Sequence, residues 1–592
     1  MKNLIIPFIA LVISSCGSNT KTTENQDKNF DVFKSAFVEE LWKTYPEWAS
    51  YNGYYKYDSV LSVPDENRRK AELAFAASWL DSLHKFDVKQ LSPINKTDFL
   101  MIENQLVSTR FYINEFKSYE WSPSTYNLGE TFAKMINEQY APLDERLRNL
   151  YKRLQKVDDY YAAAKTNIRQ PTIVHTNLAI SQNRGAAEVF GPAVIDSIDK
   201  SGLSAQEKVD LKTAVEEAKG AIEDYATWLE KDVLPGLNEQ TARSFRLGKD
   251  LFTKKFDYEI TSSYSADQIY QKALEHKKNL HTEMAKLTKQ LWPKYFKDKT
   301  MPADSLLAIK EMIGQLSLKH VHRDSFQFAI EKQIPELTAF VKEHDLLYLD
   351  PSKPLVVRVE PAYMQGVAGA SISSPGPYEK NANTYYNVGP LTGYSPEAAE
   401  SYLREYNHYM LQILNIHEAI PGHYAQLVYS NQSPSIIKSI LGNGAMVEGW
   451  AVYTERMMLE EGYGNNEPEM WLIYYKWNLR AACNTILDYS IHTMNMSEQE
   501  AMNLMVNEGF QQEKEAANKW KRATLTQVQL CSYFTGFREI YDFREEVKKL
   551  QGDKFNLKAF HEKFLSYGSA PVKYIRELML EDLKAGNEVV SK

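Results

Sequence analysis

The chain has 592 residues, 43% apolar and 25% charged, with 69 Lys and Arg against 77 Asp and Glu and a formal charge of −8. That balance excludes a disordered chain and suits a globular protein of two or three packed units. A modest negative charge offers no general attraction to nucleic acid, so no nucleic-acid partner is expected.

The first sixteen residues, MKNLIIPFIALVISSC, place Lys2 before an apolar run from Leu4 to Ile13 and close on Ser14, Ser15 and Cys16. The run is too short for a good membrane span and ends in small residues, the pattern of an export signal. An ordinary secretory signal with an unrelated cysteine is the alternative. The segment resembles a bacterial lipoprotein signal, with Ile13-Ser14-Ser15-Cys16 as the lipobox. That resemblance implies removal of residues 1–15, lipid on Cys16, and a protein held in the cell envelope, at the outer membrane, touching the bilayer through its lipid alone. Residues 16–29, polar after Cys16, read as a tether. Cys483 and Cys531 are the remaining cysteines and are expected to be buried thiols.

Residues 30–350 read as a helical scaffold. RRKAELAFAASWLDSLHKF and LDERLRNLYKRLQKVDDYYAAAKTNI carry helix formers with apolar residues at three- and four-residue steps. Ser204 with Glu207 forms a capping box, and a further long helix is expected from near Ser265. Residues 351–592 change in texture. PLVVRVEPAYMQGVAGASISSP and NTYYNVGPL are β-branched and aromatic, broken by Gly and Pro, and predict two or three short strands. Ser395-Pro396 then opens a helix expected to run to about Asn415, and Ser497 with Glu500 offers another capping box. The fold class is therefore mainly α with a small sheet or hairpin. The boundary near 350 is soft, and the two parts could equally share one core.

NIHEAIPGHYAQ follows. Zinc hydrolysis needs about three protein ligands, an open position for water, and a carboxylate beside that water. His-Glu-x-x-His supplies two ligands one turn apart. Here His417 and His423 are six residues apart, which a regular helix would turn into about 600° of rotation and about 9 Å of rise. Pro421 and Gly422 are expected to absorb the extra residues in a local bulge that returns His423 to the side of His417; the bland reading ends the helix at Pro421 and leaves both histidines structural. Downstream, MVEGWAVYTERM places Glu448 and Glu455 seven residues apart on one helical face. Glu448 is the expected third ligand, with Gly449 after it allowing another backbone to approach. Glu455 is expected to orient a histidine from behind, or to sit at a solvated edge.

His417-Glu418-Ala419-Ile420-Pro421-Gly422-His423, Gln426, and Glu448-Gly449-Trp450-Ala451-x-Tyr453 resemble the DUF885 family of bacterial proteins, which is similar to the gluzincin zinc metallopeptidases. The resemblance implies one zinc ion on His417, His423 and Glu448, Glu418 as the base that activates water, and a peptide substrate. Two later blocks match as well. LRAACNTILDYSIHTM holds Asp488 and His492 one turn apart, with Tyr489 and Ser490 where the family often has Thr-Gly. LTQVQLCSYFTGFREI keeps Tyr533 and Gly536 but has Leu525-Thr526-Gln527 where Pro-Gly-Gln is typical. His492 and Tyr533 are expected to stabilise the oxyanion. Arg480 and Arg538 are candidates to hold a substrate carboxylate. NTYYNV, with Tyr386 at its centre, is expected to bind an extended peptide along an exposed edge. The competing readings are a noncatalytic peptide-binding or scaffold lipoprotein on such a fold, and a zinc hydrolase of a non-peptide amide or ester.

Overall fold

The computed structural model describes residues 19–360, 370–379 and 382–590, with side chains from 25 to 584. The signal segment and Cys16 lie outside the described residues. Helices dominate, and local chemistry explains where many begin. The capping boxes at Ser204/Glu207, Ser265/Gln268 and Ser497/Glu500 each close both reciprocal hydrogen bonds, at the heads of the Ala205–Trp228, Ala266–Phe296 and Glu498–Met502 helices. LDERL…KTNI is two helices, Leu143–Leu154 and Val157–Asn167.

Most of the segment expected as a tether is ordered. The Asn19–Thr44 helix takes in residues 19–29, because Phe30, Phe37 and Leu41 sink into the core and draw the helix onto the body. Asp27 is fastened there, accepting from the Ser92 backbone at 3.0 Å and from Asn95 Nδ2 at 2.8 Å.

One hydrophobic core runs from Phe30 to Met579, so residues on both sides of 350 share it. A second core gathers Leu61 with residues from Tyr126 to Leu229. Among the described residues no helix is long and apolar enough to cross a membrane. Cys483 and Cys531 are buried free thiols.

Three strands form a small open sheet: β1 (Leu355–Val359), β2 (Ala370–Ser373) and β3 (Thr384–Val388), in the order β1-β3-β2. β3 is parallel to β1 and antiparallel to β2. The NTYYNV strand is thus the central one, and its expected exposed edge does not exist: both sides of β3 are already paired. Tyr386 is fully buried and donates its hydroxyl to Asn415 Oδ1 at 2.8 Å, while Asn415 Nδ2 reaches Gln333 at 2.6 Å. Tyr386 therefore ties the sheet to the His408–Glu418 helix.

The single helix expected from Glu397 to Asn415 is two, Pro396–Glu405 and His408–Glu418. Asn407 separates them by capping the second, accepting from the Tyr409 and Met410 backbones. Further on, the Gly444–Glu460 helix packs along Cys531–Gln551. Their backbones touch where Gly449 meets Gly536: a Cβ on Gly449 would stand 2.3 Å from Gly536, and one on Gly536 1.7 Å from the Ala445 carbonyl. Only glycine at both positions permits that approach.

Candidate metal centre

The centre is built on a broken helix. His408–Glu418 stops after Glu418, the Ile420–Pro421 peptide bond is cis, and a new helix, His423–Asn431, starts at the second histidine. The expected bulge inside one helix is replaced by a full break over residues 419–422, between two separate helices. Gly422 closes it by donating its N–H to Ile416 O at 3.0 Å. Its Cβ, if present, would lie 1.9 Å from His417 O and 2.3 Å from Ile416 O, so close approach and not an unusual φ is what requires glycine here. The helix ends, as the bland reading had it, yet the two imidazoles still converge, their centroids 4.7 Å apart.

Glu448 completes the group. Its Oε2 is 3.5 Å from His423 Nε2 and 3.8 Å from His417 Nε2. Those gaps are long for charge-assisted hydrogen bonds. They approach the roughly 3.3 Å between ligands placed tetrahedrally about 2.0–2.1 Å from a zinc ion. His417, His423 and Glu448 form a group close enough to share one metal ion, with one donor atom from each within 4.8 Å of the others.

The surroundings fit a cation. Glu455 Oε1 lies 2.6 Å from His417 Nδ1, which leaves Nε2 turned toward Glu448, and Trp477 Nε1 donates to the same oxygen at 2.9 Å. This fixes the tautomer and aim of His417 as carboxylates behind metal-binding histidines do. His423 Nδ1 is buried without a partner among the described residues. Burial, with His423 beside it, pushes the His417 imidazole down to about 4, so it stays neutral and able to ligate. Burial alone would raise Glu448, but adjacent His423 and His417 bring its net shift below the usual range. Burial raises Glu418, and it raises fully enclosed Glu455 much further. Trp450 locks the two motifs together by donating to the Pro421 carbonyl at 2.9 Å, a role that spacing alone did not reveal.

The remaining candidates divide. Tyr533 sits one turn before Gly536, so the glycine crossing brings it beside Glu448, whose charge raises the phenol along with burial. Arg522, which the sequence reading did not single out, donates to Tyr533 Oη at 3.2 Å and helps depress Glu448. His492 is not brought to this group by any of its contacts. Its Nε2 is 2.9 Å from the Ala523 carbonyl and 3.7 Å from Asp488, and its ring stacks on Phe252. Asp488 accepts from the Val528 and Leu530 backbones at 3.0 and 3.1 Å, holding a turn where Gln527 and Val528 have positive φ. That turn leads into the helix carrying Tyr533. Arg480 pairs with Glu515, its Nη1 otherwise buried without a hydrogen-bond partner among the described residues, and Arg538 pairs with Asp542.

The family model for DUF885, described as a bacterial protein of unknown function, matches residues 46–579. Among solved structures, "a putative lipoprotein of unknown function" from Shewanella oneidensis is 56% identical, with a TM-score of 0.85 over 93% of this chain and 99% of that one. A "putative lipoprotein" from Colwellia psychrerythraea shares the fold, with a TM-score of 0.76 at 19% identity over 95% of this chain and 99% of that one. No curated protein matches.

Proposed function

The chain belongs to the DUF885 family, and from the centre it carries we propose that it is a zinc-dependent hydrolase of peptide bonds, similar in its chemistry to the gluzincins. The observation that carries this reading is the spacing of His417, His423 and Glu448, which would hold the ion. A zinc ion held by two imidazoles and a carboxylate supplies Lewis acidity, polarising a carbonyl and lowering the pKa of water.

The chain's own groups do the rest. Glu418 follows His417 directly, and burial raises its carboxyl toward the range in which it both takes a proton from water and returns it to the departing amine. Tyr533 would donate to the developing oxyanion. Because Arg522 donates to the phenol oxygen, the Tyr533 hydrogen is left to point elsewhere. Glu455 and Trp477 keep His417 aimed. We assign His492 and Asp488 to the wall behind this arrangement. The lipobox at Cys16, together with the description of the two similar structures as lipoproteins, supports a lipid-anchored enzyme of the cell envelope.

The test is metal analysis of the purified full chain with an assay on a mixed peptide library. One zinc per chain is expected, with Glu418→Gln retaining the metal and losing about 10²- to 10⁴-fold in cleavage. Tyr533→Phe should lower kcat by about 10²- to 10³-fold, the effect of one lost oxyanion donor. Carefully prepared wild type without metal refutes the proposal. Zinc bound without cleavage refutes the peptidase and leaves a binding protein or another hydrolase.

A further inference from the structure

The Glu513–Thr526 helix presents Glu515, Lys519 and Arg522 at positions i, i+4 and i+7, hence on one stripe. Two independent links lay that stripe alongside the candidate metal centre. At its Glu515 end, Arg480 pairs with Glu515 and lies over the ring of Trp477, 5.0 Å from the centroid, and Trp477 holds Glu455 behind His417. At its other end, Arg522 holds Tyr533, which the Gly449–Gly536 contact sets beside Glu448.

Charge along this wall does not cancel. Lys476 is paired with Glu405 at 2.8 Å, and Arg480 with Glu515. Lys519 is only 5% exposed and makes no direct hydrogen bond or ion pair among the described residues, its nearest opposing charge being Glu515, which Arg480 already engages. Arg522 is exposed, and its partners are the neutral Gln529 and Tyr533. Burial, with the Arg480 and Arg522 charges nearby, depresses Lys519 well below the usual lysine range, against the opposing pull of Glu515. A guanidinium held by two neutral groups still offers donors in a planar fork.

We propose that Lys519 and Arg522 receive a carboxylate of the substrate, so that the site takes peptides carrying a free carboxyl group close to the bond facing His417, His423 and Glu448. The proposal rests on the hydrolase reading for what happens next to that carboxylate, but the binding it predicts can be measured without turnover. The carboxylate is either the chain terminus or an acidic side chain, and the probes below separate these.

The full chain carrying Glu418→Gln, with and without added zinc, is titrated calorimetrically with N-acetyl-Ala-Phe, with its C-terminal amide, and with N-acetyl-Ala-Asp amide. At least one carboxylate-bearing probe should bind about 10- to 100-fold more tightly than the neutral amide. Tighter binding of N-acetyl-Ala-Phe identifies the terminus as the ligand, and tighter binding of the Asp probe identifies the side chain. Arg522→Gln should erase the difference, Arg522→Lys should restore part of it, and Lys519→Met should reduce it, with unchanged circular dichroism confirming the fold of each variant. Equal binding of all three probes, or a preference that survives Arg522→Gln, overturns the proposal. Carboxylate-selective binding by a zinc-loaded wild type that cleaves no peptide upholds it and sinks the hydrolase reading instead.

Discussion

Replacing Gly422 by alanine tests the turn on which the centre is built. The new Cβ would stand 1.9 Å from His417 O, 2.3 Å from Ile416 O and 2.5 Å from His417 C, where real Cβ contacts almost never fall under 3.0 Å. All three atoms are backbone, so no side chain can rotate away, and the turn must open by roughly 1 Å. Overpacking of this kind costs about 1–3 kcal/mol of stability. The larger effect is on the ion. His423 is the next residue, and metal–ligand distances tolerate about ±0.2 Å. A displacement of roughly 1 Å removes His423 from the set, so zinc affinity should fall at least about 100-fold, the upper end of what disturbing a ligand's support costs, or about 2.8 kcal/mol. Competition with a chromophoric chelator measures the affinity, and a urea titration measures stability in the same preparation. Gly444→Ala is the control: nothing lies within 4 Å of its would-be Cβ, so zinc affinity should hold and stability stay level or rise slightly. If Gly422→Ala binds zinc within twofold of wild type, the helix break at 419–422 is not what assembles the ligands.

Glu455→Gln keeps the shape of the contact with His417 but replaces the carboxyl by an amide, and zinc affinity should weaken about tenfold in the same chelator assay; an unchanged affinity would show that Glu455 does not tune the ligand. Asp488→Ala leaves the Val528 and Leu530 N–H groups unpaired in a turn with two non-glycine residues at positive φ, so the urea midpoint should drop by the equivalent of about 2–4 kcal/mol, and a loss below about 1 would contradict this. His561 is fully buried against Tyr453 and the Leu346 carbonyl, and burial pushes its imidazole from 6.5 down to about 4. Between those values the unfolded chain binds a proton that the folded chain does not, so this contribution is intact above 6.5 and is lost as pH falls toward 4, at up to about 1.4 kcal/mol per pH unit. His561→Gln should flatten that limb of the stability profile, and an equally steep slope in the variant would assign the acid sensitivity elsewhere.

Much of what is local in this protein could be read directly from its residues. Helical periodicity located the body, and two Ser caps followed three residues later by Glu marked helix starts that the fold uses, since a capping box is satisfied within four residues; the start near Ser265 proved to carry a third, closed by Gln268. The spacing of His417 and His423 showed that a regular helix was impossible, and the seven-residue step from Glu448 to Glu455 put both carboxylates on one face. Asp488 and His492 do meet at one turn's distance, but the direction in which they face was not a local property.

What the chain could not show by itself depends on partners far away in sequence. Whether NTYYNV is an edge or a central strand depends on what pairs with it, and β1 and β2 occupy both of its sides. Trp450 closes on Pro421, Glu455 on His417, and Arg522 on Tyr533 only because separate helices are pressed together, the closest at Gly449 and Gly536. Arg480 meets Glu515 from a separate helix, while Arg538 meets Asp542 one turn along its own. The physical reason is the same in each case. Residue type and spacing determine which backbone shapes and donor atoms a segment can offer, while packing decides which of those atoms are left facing one another with nothing between them.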